Sequence, residues 1–260
     1  MSTSPEKKPP SVLSVKNLEM RYGSTLIQQN LNFEISKGDI FIIMGGSGCG
    51  KSTLLKHLIG LVKPAEGAVY YGGTDFWAAD EQARGKLLQD IGILYQQGAL
   101  WSSQTLAENV AVPLKEYTDL NEKEIRDLCA FKLQLVGLAG FDDYYPSEIS
   151  GGMRKRAALA RAIALDPKFL FFDEPSAGLD PVSAKLLDDL ILELRDTLGA
   201  TIAVVTHELA SIYAIGSNSV FLDPVSKTMI AQGNPTTLLN ESKDARVIEF
   251  LTRGNTHTEG

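Results

Sequence analysis

The sequence predicts an α/β fold: a parallel sheet at the core, an antiparallel β subdomain ahead of it and an α-helical subdomain inserted into it. Three observations lead there. Four short runs, "DIFIIMG", "DIGILYQ", "KFLFFDE" and "TIAVVTHE", are apolar at nearly every position, as strands buried on both faces must be. Helical spacing lies between such runs, as in "KSTLLKHLIGLV", and a helix is the usual crossover between parallel strands. From about residue 97 to residue 165 the strand runs stop and only helical patterns remain.

In chain order, residues 1–10, "MSTSPEKKPP", are polar and Pro-rich without an apolar segment, so they read as a disordered tail and not a signal peptide. "VLSVKNLEMRYG" and "NLNFEISKGD" alternate as an antiparallel opening, and "GAVYYGG" is one more short strand after the first buried strand and its helix. "TLAENVAVPLKEY", "EKEIRDLCAFKLQLVGL" and "GGMRKRAALARAIAL" supply the inserted helices. Residues 11–240 thus form one domain. Residues 241–260 form an extension with one short amphipathic helix, in which Val247, Ile248 and Leu251 share a face, and then a polar tail.

Composition narrows the function. The 260 residues carry a formal charge of −7, which argues against a nucleic-acid surface, because phosphate-backbone binding needs an excess of Lys and Arg. The local cluster Arg154-Lys155-Arg156 reads as a solvated helix face. Cys49 and Cys129 form no CxxC pair, so neither a zinc ribbon nor a disulfide framework is expected, and a reducing compartment is. No apolar run approaches the ~18–20 residues that span a bilayer, so the chain is expected to be soluble and to lie on the cytoplasmic side.

Directly after the first buried strand comes "GGSGCGKST", residues 45 to 53. Gly45, Gly46, Gly48 and Gly50, with Ser47, let the backbone curl so that successive N–H groups converge on phosphate oxygens. Lys51 adds a point charge, Ser52 a hydroxyl for Mg²⁺, and Thr53 follows it into the helix; Cys49 is a small spacer. "FLFFDEP" then delivers Asp173 and Glu174 to the end of a buried strand, where open α/β sheets bind ligands. Asp173 suits a metal and Glu174 suits polarising an attacking water. A second anion site stands at "ISGGMRKR": Ser150, Gly151 and Gly152 open a helix whose free N–H groups and dipole favour a phosphate.

The order of "GGSGCGKST", Gln96, "SGGMRKR", "FLFFDEP", "SAGLD" and His207, spread over residues 11 to about 240, resembles the nucleotide-binding subunit of ATP-binding-cassette transporters. The resemblance implies a P-loop NTPase (RecA-like) core and ATP with Mg²⁺ as cofactors. It also implies a second copy of the chain packed head to tail, each ATP held between the phosphate loop of one copy and Ser150, Gly151, Gly152 and Met153 of the other. Tyr22 matches the aromatic that stacks on adenine. Gln96, with Gln97 beside it as a one-residue alternative, matches the glutamine that reaches metal and water. Asp180 matches the loop that touches the other subunit, and His207 the histidine that orients γ-phosphate and water. His57 and His257 match nothing.

Met153 stands where many such subunits have Gln. With "YQQGALWSSQTLAENVAVPL" it makes the chain similar to the ATPases of the mammalian-cell-entry lipid transporters, as does "DARVIEFL", which resembles an extension that reaches the neighbouring ATPase; the alternative for its helix is a seat on its own chain. That implies integral membrane permease subunits, a mammalian-cell-entry domain protein as a further partner, and a peripheral position on the cytoplasmic face of the inner membrane. Residues 97–150 are then the groove for a permease helix, with Trp101 and Leu106 facing it. The competing readings are an importer motor for a small polar solute, a cassette ATPase acting on DNA or the ribosome, and a scaffold with a decayed site. The second lacks its usual additional cassette, coiled coil or zinc cysteines; the third conflicts with the presence of Lys51, Asp173, Glu174 and His207.

Overall fold

The computed structural model describes residues 10–253. The expected N-terminal tail, Pro10 apart, and the polar end with His257 lie outside the described residues. The chain begins with a hairpin of β1 (Ser11–Tyr22) and β2 (Thr25–Ser36). Tyr22 pairs with Thr25 across a two-residue turn, where Gly23 takes the positive φ of 57° such a turn needs. Then follow β3 (Ile40–Gly45), α1 (Lys51–Leu58), β4 (Glu66–Tyr71), β5 (Thr74–Asp75), α2 (Glu81–Gln89) and β6 (Ile91–Leu94). The helices α3 (Leu106–Tyr117), α4 (Glu122–Leu135) and α5 (Gly151–Ala162) come next, and then β7 (Phe169–Asp173), α6 (Pro181–Leu198), β8 (Thr201–Val205) and α7 (Leu209–Ile215). The described chain closes with β9 (Asn218–Asp223), β10 (Thr228–Gln232), α8 (Pro235–Glu241) and α9 (Ala245–Thr252).

Two sheets form. One is antiparallel in the order β2-β1-β4-β5; the other runs β10-β9-β3-β8-β7-β6, parallel except for its β10–β9 edge. The strand period of two divides the parallel sheet between two cores. Ile40, Ile42 and Met44 of β3, with Leu170 and Phe172 of β7, point to the core shared with α3, α4, α5 and α6. Phe41 and Ile43, with Phe169 and Phe171, point to the core shared with α1 and the antiparallel sheet. Strands with no polar face are therefore a consequence of being covered on both sides. The sequence does not single out the α2 and α6–α8 helices or the β9–β10 edge.

The helical insert is pinned by side-chain caps. Thr105 with Glu108 closes a capping box on α3, and Asn121 with Glu124 does so on α4. Buried Asn109 bonds the backbone N–H and C=O of Trp101 at 2.8 and 3.1 Å, holding the loop ahead of α3.

Two sequence expectations are corrected here, and of the two seats open to α9 the structure shows the one on its own chain. Leu106 is fully buried and faces the core, whereas Trp101 is 54% exposed; the capping residue Thr105 sets the rotation of α3 and turns Leu106 inward. The cluster Arg154-Lys155-Arg156 is not a solvated face. Lys155 is buried, Arg154 donates to the Ile149 carbonyl at 2.9 Å, and Arg156 donates to the carbonyls of Val136 and Gly137 at 3.0 Å. Loop carbonyls left over at the ends of neighbouring elements take up these donors. Finally, α9 packs on its own chain: Val247 and Leu251 are buried in the helix-side core. The Tyr213 hydroxyl donates to the Leu251 carbonyl at 2.7 Å, and Phe250 meets Phe221 edge-on at 5.2 Å. The apolar seat comes from α7, α8 and β9, elements whose adjacency only the fold creates. Ile248 is half-buried.

Among the described residues no helix is long and apolar enough to cross a membrane.

Candidate active site

The C-terminal ends of β3, β7 and β8 converge on one edge of the parallel sheet, and a cleft of about 1010 Å³ opens there. From β3 the chain turns at Gly45, whose φ is 148° and whose added Cβ would come 2.4 Å from the Leu222 carbonyl oxygen. Only glycine fits so close to a backbone. Gly48 and Gly50 also take positive φ, 73° and 98°, which curls the loop. Gly45, Gly46, Ser47, Gly48 and Gly50, then Thr53 after the lysine and serine, all face the cleft. Cys49 does not; it is buried behind the loop, its thiol pKa pushed up by that burial. Buried Gln28 donates from Nε2 to the carbonyls of Cys49 and Asp223 at 2.8 and 3.0 Å, tying the loop to β9.

The Lys51 ammonium donates to the carbonyls of Gly45 and Gly46 at 2.9 and 3.1 Å. The Ser52 hydroxyl donates to Asp173 Oδ1 at 3.0 Å, so residues 121 positions apart form one oxygen pair. Glu174 leaves β7 in the left-handed region, with φ 48°. His207 Nδ1–H donates to Glu174 Oε1 at 2.8 Å, while Glu174 Oε2 is buried without a partner among the described residues. An orphaned buried carboxylate oxygen is costly unless something donates to it; a water placed against Glu174 would. Curled N–H groups, an ammonium and hard oxygen donors fit a triphosphate with Mg²⁺. Tyr22, Gln96 and His207 reach the same cleft; Gln97 does not line it.

The stretch Ser150–Met153 is separate. Ser150 caps α5 by accepting from Met153 N–H at 3.2 Å, and Ser150 and Gly151 are exposed. Met153 tucks partly against the helix-side core, and none of residues 150–153 lines the cleft. A Cβ on Gly152 would lie 3.2 Å from Ser183 Oγ, so the start of α5 abuts the start of α6. There Asp180 accepts from Val182 and Ser183 N–H, each at 3.0 Å, and hydrogen bonding from Ser183 holds its carboxyl below the usual range.

Two features escape sequence reasoning. Lys155 Nζ donates to the Gln96 carbonyl and approaches the Glu174 carbonyl at 3.4 Å. Burial lowers its pKa, an effect opposed by the nearby Glu174 and Asp173 carboxylates. The other is α9: Arg246, Glu249, Phe250 and Arg253 share one helical face and line the cleft. Arg246 pairs with Asp223 at 2.8 Å, and Arg253 pairs with Glu208 beside His207 at 3.2 Å. The i, i+3, i+4, i+7 spacing was visible; what it faces was not.

Comparison with known proteins agrees with this geometry. The family model described as "ABC transporter" matches residues 28–177. The intermembrane phospholipid transport system ATP-binding protein MlaF of Haemophilus influenzae is 40% identical over 93% of this chain and 90% of its own length. The probable ribonucleotide transport ATP-binding protein mkl of Mycobacterium leprae is 41% identical over 92% of this chain and 68% of its own. Among solved structures, cbiO1 from Clostridium perfringens, part of the ABC transporter complex cbiONQ, superposes with a TM-score of 0.80 at 29% identity, covering 94% of this chain and 95% of that one. The cassette MJ0796, a dimer in a post-hydrolysis state with ADP and Pi, gives 0.76 at 30% identity, over 85% of this chain and 98% of that one. With the phosphate loop, its paired acids and the exposed Ser-Gly-Gly cap standing in their places, the chain belongs to the ABC transporter family as an ATP-binding, ATP-hydrolysing cassette.

Proposed function

We propose that this chain is the motor subunit of a bacterial transporter that moves phospholipid or a related lipid between membranes of the envelope. The observation that carries the cargo reading is 40% identity, over 93% of the chain, to a protein named for intermembrane phospholipid transport. In this reading two copies pack head to tail, so that Ser150, Gly151, Gly152 and Asp180 of one chain face the nucleotide in the cleft of the other. They sit peripherally on the cytoplasmic face of the inner membrane beneath permease subunits, with a mammalian-cell-entry domain protein as a further partner.

Mg²⁺ would be held by Ser52, Asp173 and Gln96, and when bound supplies charge neutralisation at the phosphates. Lys51 leaves its two loop carbonyls for the β- and γ-phosphate oxygens. Tyr22 offers its exposed ring to the adenine. Glu174 accepts a hydrogen bond from the attacking water through the oxygen His207 does not occupy, and His207 keeps that carboxylate oriented through Nδ1–H. A groove of about 300 Å³ between exposed Trp101, Tyr95, Pro113 and Arg161 receives a permease helix next to the Gln96 loop.

A second reading, an importer motor for a small polar solute, is favoured by the relative named for ribonucleotide transport at 41% identity. Purification of the tagged chain from membranes, followed by reconstitution with its co-purifying subunits, separates the two. ATP-dependent movement of a fluorescent phospholipid between vesicles supports the first reading. Uptake of a labelled ribonucleotide without lipid movement overturns it.

A further inference from the structure

We propose that Lys155 is a positioning residue that couples the Ser150 end of α5, which serves the partner's nucleotide, to Gln96 and Glu174 of its own cleft. The inference rests on the shared-site dimer proposed above.

Lys155 lies five residues after Ser150, about 7 Å along a helix that rises 1.5 Å per residue. It is 7% exposed, and an ammonium that deep is tolerated only where it is hydrogen-bonded. Its two acceptors are carbonyls of Gln96 and Glu174, the backbones of two side chains assigned to metal and water. The same stripe of α5 grips the Gln96 loop twice more. A Cβ on Gly98, at φ 75°, would lie 3.2 Å from Ala158 Cβ, so the loop backbone rests on the helix. Arg161 donates to the carbonyls of Gly98 and Ala99, each at 2.8 Å. Positions 155, 158 and 161 thus clamp residues 96–99 at successive turns. Lys155 alone also reaches Glu174, which sits in a backbone conformation uncommon for a non-glycine residue. A helix is stiff over this length, so displacement of its first turn by the partner's phosphate moves Nζ, and with it both carbonyls. The lysine's bonds go to main chain and not to side chains, so it sets where Gln96 and Glu174 stand and leaves their polar ends free for the nucleotide.

Steady-state hydrolysis by the full chain tests this, with ATP titrated and thermal melting measured in parallel. Lys155→Met keeps length and volume but removes the donors. Its kcat is expected to fall about 10²-fold, the size of effect that a misplacement of ~1 Å at a reacting group produces. KM for ATP stays close to wild type, because the phosphate loop is untouched. Cooperativity in ATP is expected to disappear, and Lys155→Arg, which restores donors, recovers most of the rate. The melting temperature need not fall, since an apolar isostere often replaces a buried charge without loss. Wild-type kcat and cooperativity in Lys155→Met overturn the proposal. So does a parallel fall of kcat, ATP affinity and melting temperature that Lys155→Arg does not rescue, since that marks a merely structural lysine. If Lys155→Met does not fold, Lys155→Leu, which also lacks donors, is read by the same criteria. Failure of the shared-site reading shows separately. In that case mixing Lys51→Ala with Gly151→Asp chains restores no hydrolysis while a tandem fusion carrying both lesions on one subunit is active, whereas restored hydrolysis alongside a wild-type Lys155→Met refutes only the coupling.

Discussion

Residues 45–52 and residues 150–152 both present glycines and backbone N–H groups at the start of a helix, yet their surroundings differ in kind. The first loop gathers its complement from the whole chain: Asp173 from β7 meets Ser52, Glu174 meets His207 from the end of β8, and Gln28 from β2 holds the loop from behind. The second is capped locally by the Ser150 side chain on Met153 N–H, abuts the start of α6 at Gly152 and exposes Gly151. A site furnished with acids, an ammonium and a histidine carries chemistry; a bare helix start carries binding. In the head-to-tail dimer proposed above, this difference is why one chain would need both and complete neither alone.

The sharpest way to break this contrast is Lys51→Ala. Among the described residues its ammonium bonds only two carbonyls of its own loop, so the fold should melt as wild type does while hydrolysis drops about 10³-fold or more, the scale of preorganised charge stabilisation. Near-normal turnover would mean that the first loop is not where the phosphates are held.

Lesion mixing comes next. Gly151→Asp places a carboxylate where a phosphate must approach, yet a Cβ there meets nothing nearer than an Arg154 guanidinium nitrogen at 3.7 Å. The variant should fold and be inactive. Mixed with Lys51→Ala chains, it should regain part of the hydrolysis, because one of the two shared sites is then free of lesions. An inactive mixture beside an active tandem fusion that carries both lesions on one subunit would place each site within a single chain.

Stability sharpens the comparison further. Gly45→Ala forces a Cβ to 2.4 Å from the Leu222 carbonyl at a φ of 148°, a change in the class that costs several kcal/mol. Gly151→Ala should stay within about 0.5 kcal/mol, the range of ordinary surface substitutions. Equal losses in denaturant unfolding would contradict the distinction between a cradle built into the core and a cap on its surface.

The α9 helix belongs to the first site alone, since its charged face lines that cleft while Val247 and Leu251 anchor it in the core of the same chain. Leu251→Ala is expected to destabilise the monomer by about 2–5 kcal/mol. Unchanged monomer stability with weakened dimerisation would return the helix to the neighbouring subunit.

The smallest effect concerns pH. His57, on α1 directly below the first loop, is buried with Nδ1 2.8 Å from the Val62 carbonyl, and burial holds its pKa below the usual value. The folded state therefore disfavours the charged ring. Stability should be complete above the unfolded pKa of about 6.5 and decline as pH falls below it. Melting between neutral and mildly acid pH should show this slope, and His57→Gln should flatten it.

Much of the site was legible because its residue types answer local demands. A loop that curls at Gly45, Gly48 and Gly50, a cap at Ser150 and strands with no polar face can be read without knowing their neighbours. Gln96 had Gln97 as a rival, and only the cleft wall separates them. Lys155 looked like part of a solvated basic run because its acceptors are carbonyls 59 and 19 positions away in sequence. Leu106 looked like a groove residue because its spacing alone does not fix the rotation of α3.

By itself, then, the sequence determined the alternation of strand and helix, the phosphate loop, the acids that end β7 and the helix start at Ser150, all features whose cause lies within a dozen residues. Tertiary structure decided which partners these features acquire: Ser52 with Asp173, His207 with Glu174, Lys155 with two backbones, and α9 with the core of its own chain. The physical reason is that burial and hydrogen bonding depend on which surfaces meet, and distant segments of the chain meet only once the sheet has set the order of its strands.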